Sequence, residues 1–266
     1  MAENRPAIPE PIKREVRKQC GFGCAICGMP FFQYDHVEEY SEVKEHTAEN
    51  IVLLCPNHHA AKTTKKLSKE RIIEAKRSPF NTNKLHTTSF KIEPSKELLT
   101  ILGSNMLTGW RPEEMNDYYL IWVNGVSFFT IHCEDGWLTI SVIVTDSSGN
   151  ILLSVKRGEL IVSTDAWDYI YEGENIKIRA GLGEILLDLN LSDKKVEVIR
   201  GTFCDSNKDG FIVTDGSLRN ICEGNVQGTS SGNRSYGMGG WALLNSKSAP
   251  DAPEPNGPIT VFLKYR

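Results

Sequence analysis

Four residues in two short pairs have the types and the spacing of a structural zinc site. The pairs are Cys24-Ala25-Ile26-Cys27, a CxxC, and Cys55-Pro56-Asn57-His58, a CxxH. Two ligands three positions apart on a tight turn reach one ion without strain, and thiolate and imidazole are donors that close a tetrahedron around Zn²⁺. The sequence therefore predicts that Cys24, Cys27, Cys55 and His58 hold one structural zinc ion.

Polar residues between and beside these pairs have the chemistry of a second centre, and they are Asp35, His36, Asn50 and His59. Asp35 and His36 are adjacent at the end of a predicted strand, where successive side chains point to opposite faces. We therefore expect Asp35 to bind a hard divalent ion and His36 to act as a base, or the reverse. His58 and His59 diverge by about 100° in a helix, so His59 can turn to the second centre. With Asp35 it would form a sparse, water-rich site of the kind that Mg²⁺ occupies.

Basic residues flank the metal ligands on both sides. The candidates for contact with nucleic-acid phosphates are Arg14, Arg17, Lys18, Lys62, Lys65 and Lys66. Residues 1–97 contain 16 Lys and Arg against 13 Asp and Glu, whereas residues 98–266 contain 14 against 21. Only the first part suits a polyanion such as DNA, with RNA not excluded, and the alternative is that these basic runs are simply solvated.

The elements that must position these residues form a small N-terminal module. Pro11 opens a predicted helix through about Gln19, short apolar strands follow around Phe31 to Val37 and Ile51 to Leu54, and a helix begins after the second ligand pair. Ser68 is expected to cap a further helix through about Lys76. About 40 residues bury too little surface to fold alone, so zinc should contribute folding energy.

The fold class predicted for the whole chain is α+β and multidomain. We assign residues 1–80 to the metal module with its basic helices, 81–97 to a linker and 98–266 to an all-β domain. Runs of β-forming residues punctuated by turn signals such as Asn124-Gly125 support the last assignment. A β-sandwich is favoured over a β-solenoid, because no repeated consensus is present.

The expected strands of this domain are Tyr118–Val123, Val126–Cys133, Leu138–Thr145, Ile151–Val155, Leu160–Ser163, Ile176–Arg179, Ile185–Leu191, Val196–Arg200, Phe211–Thr214 and Ile259–Lys264. The Gly- and Ser-rich tail from Gln227 to Gly240 is interpreted as a mobile loop. The segment Asp205 to Gly210 has the oxygen spacing of a calcium loop, but Gly216 stands where a bidentate Glu is expected. An Asx-rich hairpin turn is therefore the favoured interpretation.

The order CxxC, Asp-His, Asn, CxxH-His resembles the HNH endonuclease family, a ββα-metal nuclease module, over about residues 12–70. The resemblance implies that His36 is the general base, that Asn50 braces the hairpin and that Asp35 and His59 bind the catalytic ion. It implies structural Zn²⁺ together with Mg²⁺ or another divalent ion such as Mn²⁺ or Ni²⁺. His58 replaces the more usual fourth Cys of the family, a chemically equivalent ligand.

Two further features bear on this resemblance. The acidic insert Glu38, Glu39, Glu42, Glu45 and Glu49 is an awkward surface to lay against phosphates, so we expect it to face away from the substrate. His46 lies between Asp35 and Asn50 and is a candidate for a role beside the second centre, with an ordinary loop histidine as the alternative.

These features support three hypotheses about the function. The first is a DNA endonuclease of restriction or phage defence whose β domain serves targeting, regulation or oligomerisation. The second is a non-catalytic zinc-knuckle adaptor for nucleic acid, and the third is a ligand-sensing β domain that controls a latent nuclease. A double-strand cut by one such centre usually needs two protomers, so a homodimer is one expectation. The absence of any apolar run of roughly 20 residues and the dispersed cysteines predict a cytoplasmic protein without a membrane span.

Overall fold

The computed structural model describes residues 6–21, 23–81, 96–112, 114–115, 117–134, 137–163, 168–172, 174–192, 194–214 and 216–266. The chain divides into two compact units, Met1–Lys91 and Ile92–Arg266. Most of the predicted linker, residues 82–95, lies outside the described residues. No helix in the described ranges is both long and apolar enough to cross a membrane.

The first unit combines short helices with one two-stranded antiparallel sheet. Its elements are α1 (Glu10–Gln19), β1 (Gln33–His36), α2 (Tyr40–Val43), a 3-10 turn (Ala48–Asn50), β2 (Ile51–Leu54), α3 (Pro56–Thr63) and α4 (Lys69–Arg77). Strand β1 pairs with β2 so that Asp35 lies opposite Val52 and His36 opposite Ile51. The helix-containing module predicted from the sequence is confirmed.

Local sequence explains where these helices begin. Pro11 stands in the first turn of α1 and Pro56 opens α3, positions where the missing N–H of proline is not needed. The Ser68 side chain caps α4 by accepting a hydrogen bond from the Arg71 backbone N–H. All four residues of β2 are buried, as is Phe31 just before β1.

The second unit is rich in strands. They are β3 (Leu98–Leu102), β4 (Asn105–Trp110), β5 (Asp117–Val123), β6 (Val126–Glu134), β7 (Trp137–Thr145), β8 (Ile151–Lys156), β9 (Glu159–Ser163), β10 (Asp168–Glu172), β11 (Asn175–Gly181), β12 (Glu184–Leu191), β13 (Lys195–Cys204), β14 (Gly210–Thr214), β15 (Ser217–Cys222), β16 (Asn225–Ser230), β17 (Arg234–Tyr236), β18 (Gly240–Asn245) and β19 (Ile259–Tyr265). The strand-rich prediction is confirmed.

These strands form two sheets, one of ten strands and one of seven. The seven-stranded sheet has the order β19-β18-β5-β6-β7-β8-β9, and the path β10 to β16 runs through the ten-stranded sheet in chain order. Neighbours along β5 to β9 and β10 to β16 pair antiparallel, as in a meander and unlike the stacked coils of a β-solenoid. Irregularities at Ile178/Arg179 and Asp188/Leu189 curl the ten-stranded sheet. A sandwich stays a prediction.

Strand β13 joins the parts of the ten-stranded sheet. It pairs antiparallel with β12 and with β14, and its residues Lys195 to Val198 pair in parallel with Leu99 to Leu102 of β3. Strand β4 continues from β3 and pairs in parallel with β17. The ten-stranded sheet therefore joins the first strands of the second unit, β3 and β4, to strands that come much later in the chain.

The tail interpreted as a mobile loop contains strands, so that interpretation is wrong. Residues Asn225–Ser230 pair with β15, and Arg234–Tyr236 pair with β4. Their side chains are largely exposed, which removes the apolar alternation by which a strand is recognised in sequence.

The calcium-like segment is an Asx turn. Asp205 Oδ1 accepts hydrogen bonds from the backbone N–H groups of Asn207 and Asp209, both at 2.9 Å. Asn124 Nδ2 donates to a carboxylate oxygen of each aspartate, at 2.8 Å to Asp205 and 2.9 Å to Asp209. Asn245 and the Glu223 backbone N–H donate to Asp209 Oδ1. The carboxylates are engaged within the protein, as the favoured interpretation expects.

Candidate active site and zinc cluster

The ligand atoms of Cys24, Cys27, Cys55 and His58, hereafter the zinc cluster, all lie within 4.8 Å of one another. Cys27 Sγ and Cys55 Sγ are 3.8 Å apart, and His58 Nδ1 lies 3.4 Å from Cys24 Sγ and 3.2 Å from Cys55 Sγ. A zinc tetrahedron with Zn–S bonds of about 2.3 Å has an S–S edge of about 3.8 Å. The donor set and spacing fit Zn²⁺, with His58 as the fourth ligand.

Backbone turns hold the first ligand pair in place. The Gly28 N–H donates to the Cys24 carbonyl at 2.7 Å, and the Ala25 N–H donates to the Leu53 carbonyl in β2 at 2.8 Å. Gly28 has a φ of +78°, and a Cβ there would lie 2.4 Å from Asn81 Oδ1. Asn81 is fully buried and donates to the Gly21 carbonyl at 2.9 Å. A residue assigned to the linker thus packs against the zinc knuckle.

Proton sharing within the metal-free cluster shifts the pKa values of its members. Hydrogen bonds from Cys27 and Cys55 lower the pKa of Cys24, while the hydrogen bond with Cys24 raises the pKa of Cys27. Hydrogen bonds with Cys24 and Cys55 raise the pKa of His58 to about 10. Metal binding at this cluster must therefore release protons.

His36 is buried at the end of β1, with 2 % of its surface exposed. Its Nε2 lies 3.1 Å from His46 Nδ1, and His46 Nε2 lies 2.9 Å from the Pro6 carbonyl oxygen. A carbonyl only accepts, so neutral His46 has its proton on Nε2 and offers Nδ1 as an acceptor. His36 therefore donates its Nε2–H to His46.

Tyr40 orders the same pair of imidazoles. Its ring stacks on His46 with centroids 4.7 Å apart and meets His36 edge to face at 5.5 Å. His46 thus contacts the predicted base directly. Tyr40 belongs to none of the motifs in the sequence, so its contact with the two imidazoles was not predicted.

Asp35 meets a lysine at the same strand end. Lys62 Nζ, on α3, lies 2.9 Å from Asp35 Oδ2 and 2.5 Å from the His36 carbonyl oxygen. Within the described residues, the buried Oδ2 accepts no hydrogen bond of good geometry, so the contact with Lys62 is one between charges. A buried anionic oxygen without a directed hydrogen bond fits the role of a ligand for a hard divalent ion.

Asn50 ties the two ends of the β1–β2 connection together. Its Oδ1 accepts from the Glu38 backbone N–H at 2.8 Å, and its Nδ2 donates to the Glu38 carbonyl at 3.1 Å. The Val37 N–H also donates to the Asn50 carbonyl at 2.8 Å. Asn50 is therefore a positioning residue for the segment that follows His36.

His59 follows His58 in α3, and its backbone N–H donates to the Cys55 carbonyl at 2.8 Å. Among the described side chains, only the zinc cluster brings three or more potential ligands of the Cys, His, Asp and Glu types together. A shared ion at Asp35 and His59 stays a prediction.

The predicted nucleic-acid residues separate into two groups. Arg14, Lys18, Lys65 and Lys66 are exposed. Arg17 is 3 % exposed, donates to Tyr34 Oη at 2.9 Å and pairs with Glu10 at 3.4 Å. Its guanidinium is engaged inside the module, so a contact of Arg17 with phosphate stays a prediction that these bonds do not favour. The Lys62 side chain is 17 % exposed and engaged with Asp35, so its contact with phosphate also stays a prediction.

The acidic insert lies beside the basic helices. Glu38 pairs with Lys69 at 2.5 Å, and Glu39 lies 3.5 Å from Lys62. A groove of about 410 Å³ is lined by Glu38, Glu39 and Glu42 together with Lys62, Lys65 and Lys69. This part of the insert lies beside Lys62 and Lys65, two of the residues predicted to contact phosphates, and its orientation relative to the substrate stays a prediction.

The family model described as HNH endonuclease matches residues 20–65. This segment contains the zinc cluster, β1, β2 and α3, and it is similar to the HNH endonuclease family. No curated protein and no solved structure matches the chain. The resemblance predicted over about residues 12–70 is therefore confirmed over residues 20–65.

Proposed function

We propose that the protein is a metal-dependent endonuclease that hydrolyses DNA phosphodiester bonds in the module of residues 20–65. The observation that supports this most is the placement of His36 beside Asp35 at the end of β1, within a segment that matches the HNH family. The zinc cluster needs neither residue. Their retention with Asn50 and His59 favours catalysis over a purely structural zinc knuckle.

In this proposal His36 is the general base. It takes a proton from a water molecule, the resulting hydroxide attacks phosphorus, the bond from phosphorus to the 3′ oxygen breaks, and solvent protonates that oxygen. A neutral imidazole suits this role near pH 7. Because His36 Nε2 donates its proton to His46 in the structure, the lone pair of neutral His36 is on Nδ1, and that nitrogen would take the proton from water.

Asp35 and His59 are the residues that would hold the catalytic ion. When bound, Mg²⁺, Mn²⁺ or Ni²⁺ supplies Lewis-acid stabilisation of the negative charge that develops on the phosphate. Lys62 orients the Asp35 carboxylate, and through the His36 carbonyl it fixes the backbone that supports the base.

The exposed residues Arg14, Lys18, Lys65 and Lys66 would contact the phosphate backbone. The net charge of +3 on residues 1–97 supports a nucleic-acid substrate for this part of the chain. We propose restriction or phage defence as the setting, with the second unit in targeting or regulation. The homodimer and the cytoplasmic location stay predictions.

The test is plasmid cleavage with Mg²⁺, Mn²⁺ or Ni²⁺ added, against EDTA. Wild-type protein should cut or nick the plasmid, and His36→Ala should abolish cleavage while zinc content and DNA binding persist. Gln33→Ala, on the same strand, is the control and should stay active. Residual cleavage by His36→Ala would assign the base to another residue.

A non-catalytic adaptor is the second candidate, and the ion pair between Lys62 and Asp35 is the observation that favours it. In an HNH module that no longer binds a catalytic ion, a lysine ammonium would neutralise the charge of the former ligand carboxylate in the same way. Wild-type protein that binds DNA but leaves it intact with every ion would establish this alternative.

A further inference from the structure

A cavity of about 370 Å³ lies within the second unit, lined by residues of β4, β14 to β19 and the β16–β17 connection. Pockets that bind small molecules typically span about 300 to 1,000 Å³ and combine apolar walls with a few polar groups. This cavity has no part in the proposed nuclease chemistry, because all its lining residues belong to the strand-rich unit.

The floor of the cavity is apolar and well packed. Its accessible apolar surface comes from the half-buried Met106, Val261 and Leu263, while Leu107, Phe211, Leu218 and Trp241 in its lining are at most 4 % exposed. Buried side chains of this kind form a preformed surface with little freedom left to lose on binding. Such a floor suits a flat ring or another compact apolar group.

The rim of the cavity is polar and has one formal charge. Thr229, Asn233, Arg234 and Ser235 line it and are exposed. Among the described lining residues there is no Asp, Glu or Lys, so Arg234 alone sets the sign of the site. Residues 98–266 have a net charge of −7, which makes a cationic pocket there a local exception.

Arg234 has no ion pair recorded within the described part of the chain. Many other basic residues of this unit are paired, for example Lys177 with Asp188 at 3.0 Å and Lys195 with Glu197 at 2.8 Å. A guanidinium at a pocket rim without a carboxylate partner can take two oxygens of a phosphate or carboxylate.

A buried amide network fixes this rim. Asn105 is 2 % exposed and donates through Nδ2 to the Ser230 carbonyl at 3.0 Å, while its Oδ1 accepts from Asn233 Nδ2 at 3.0 Å. Strand β17 also pairs with β4, with Arg234 opposite Met106. The rim is therefore held in place before any ligand arrives.

We propose that this cavity binds a small anionic ring compound, with the ring on the apolar floor and its phosphate or carboxylate on Arg234. The chemical class is shared by mononucleotides and aromatic carboxylates. The proposal stands independently of the nuclease assignment, because it rests only on the second unit.

Isothermal titration calorimetry on the full chain tests it with four probes: adenosine 5′-monophosphate, adenosine, indole-3-acetate and inorganic phosphate. We expect one of the two anionic ring compounds to bind, and which one binds identifies the source of the anion. Adenosine and inorganic phosphate should each bind at least about tenfold more weakly than the preferred probe, because adenosine lacks the anionic group and phosphate lacks the ring.

Two variants and a control locate the binding. Arg234→Ala should weaken the preferred probe about tenfold or more, and Ser235→Trp should block the cavity by bulk. Arg219→Ala removes an exposed arginine from β15, next to Leu218 but on the opposite face, and should leave affinity unchanged.

The proposal is overturned if neither anionic ring compound binds at millimolar concentration, or if Arg234→Ala binds as well as wild type. Inorganic phosphate that binds as tightly as the ring compounds would also overturn it, since the floor would then contribute nothing.

Discussion

Lys62 Nζ lies 2.9 Å from Asp35 Oδ2 and 2.5 Å from the backbone oxygen of His36. The Lys62 ammonium group thus contacts both the carboxylate of Asp35, the predicted metal ligand, and the backbone of His36, the predicted base. This contact joins α3, which contains the zinc ligand His58 and begins directly after Cys55, to the end of β1. The Lys62 side chain therefore links the helix of the zinc ligand His58 to the strand end at Asp35 and His36.

Lys62→Ala should therefore lower kcat for DNA cleavage by about tenfold or more, because Asp35 and His36 lose their common support. Lys65→Ala is the matched control, since Lys65 is exposed and should raise KM by about two- to fivefold without changing kcat. Steady-state kinetics on a fixed duplex separates the two effects. A Lys62→Ala enzyme with altered KM and normal kcat would return Lys62 to the substrate surface.

His46→Ala should change catalysis without changing zinc content. Because His46 Nδ1 accepts the Nε2–H of His36, its removal frees that nitrogen but also removes a partner that orients the ring. We expect kcat to fall by at least about fivefold, with KM nearly constant. His46→Asn, which can still accept a hydrogen bond, should recover part of the wild-type kcat. Unchanged kinetics in both variants would make His46 an ordinary loop residue.

Cys27→Ser should abolish zinc binding and unfold the first unit. Structural zinc sites supply about 10–16 kcal/mol of folding free energy in small modules. Cys20→Ala is the control, because Cys20 is buried in the same unit but lies outside the zinc cluster. Metal analysis should find one zinc per chain in the control and none in Cys27→Ser. Retained zinc in Cys27→Ser would remove Cys27 from the ligand set.

Lys76→Met should destabilise the first unit by about 1–3 kcal/mol, since it leaves buried carbonyl groups unpaired. Lys76 Nζ donates to the backbone oxygens of Ala48 and Ile51, both at 2.7 Å, and burial lowers its pKa. All described helices lie in this unit, so urea unfolding can be followed by their circular dichroism. Arg77→Met, at the exposed neighbour, should change stability by less than about 0.5 kcal/mol. Equal changes in the free energy of unfolding for Lys76→Met and Arg77→Met would show that the hydrogen bonds of Lys76 do not stabilise the first unit.

The second unit should lose stability as the pH falls below about 6.5, the unperturbed pKa of histidine. His132 lies between Asp117 Oδ1 and Ser141 Oγ, both at 2.7 Å, and burial lowers its pKa although Asp117 opposes the shift. Below the unfolded-state pKa the unfolded chain binds the proton more readily, so acidification favours unfolding until the lowered folded pKa is reached. All five tryptophans lie in residues 98–266, and their fluorescence reports this unit alone.

His132→Asn should flatten that pH dependence between about pH 7 and 5. NMR titration of the full chain should place the His132 pKa below about 6.5. Arg157 and Glu134 lie in the same cluster, paired at 3.4 Å. A His132 pKa above its ordinary value would reverse the sign of the prediction.

The zinc cluster could be predicted because ligand spacing is a local property of the sequence. The choice of His58 over His59 followed from helical geometry, and the structure places His58 in the cluster. The roles of Arg17 and Lys62 could not be foreseen in this way. Their partners lie 17 and 26 residues away, so a basic residue that looks solvated in the sequence is engaged by tertiary contacts.

Strands of the second unit were predictable where apolar residues alternate between turn signals, as in Lys195 to Ile199. Strands β16 and β17 lack this signal, because pairing with neighbours and not burial forms them. Strand β3 pairs with residues of β13 that are far away in sequence, and no local pattern specifies such a partner.

The long-range pairings of β13 and β18 also set the order of events during synthesis. Leu99 of β3 cannot pair with β13 until Lys195 has been synthesised. Likewise, Ile121 of β5 cannot pair with β18 until Trp241 has been synthesised. The first unit, by contrast, has all its partners once residue 91 has left the ribosome, since its contacts are local. We expect the metal module to fold on nascent chains whose second unit is still incomplete. If that unit restrains the nuclease, every newly made molecule passes through an interval without the restraint.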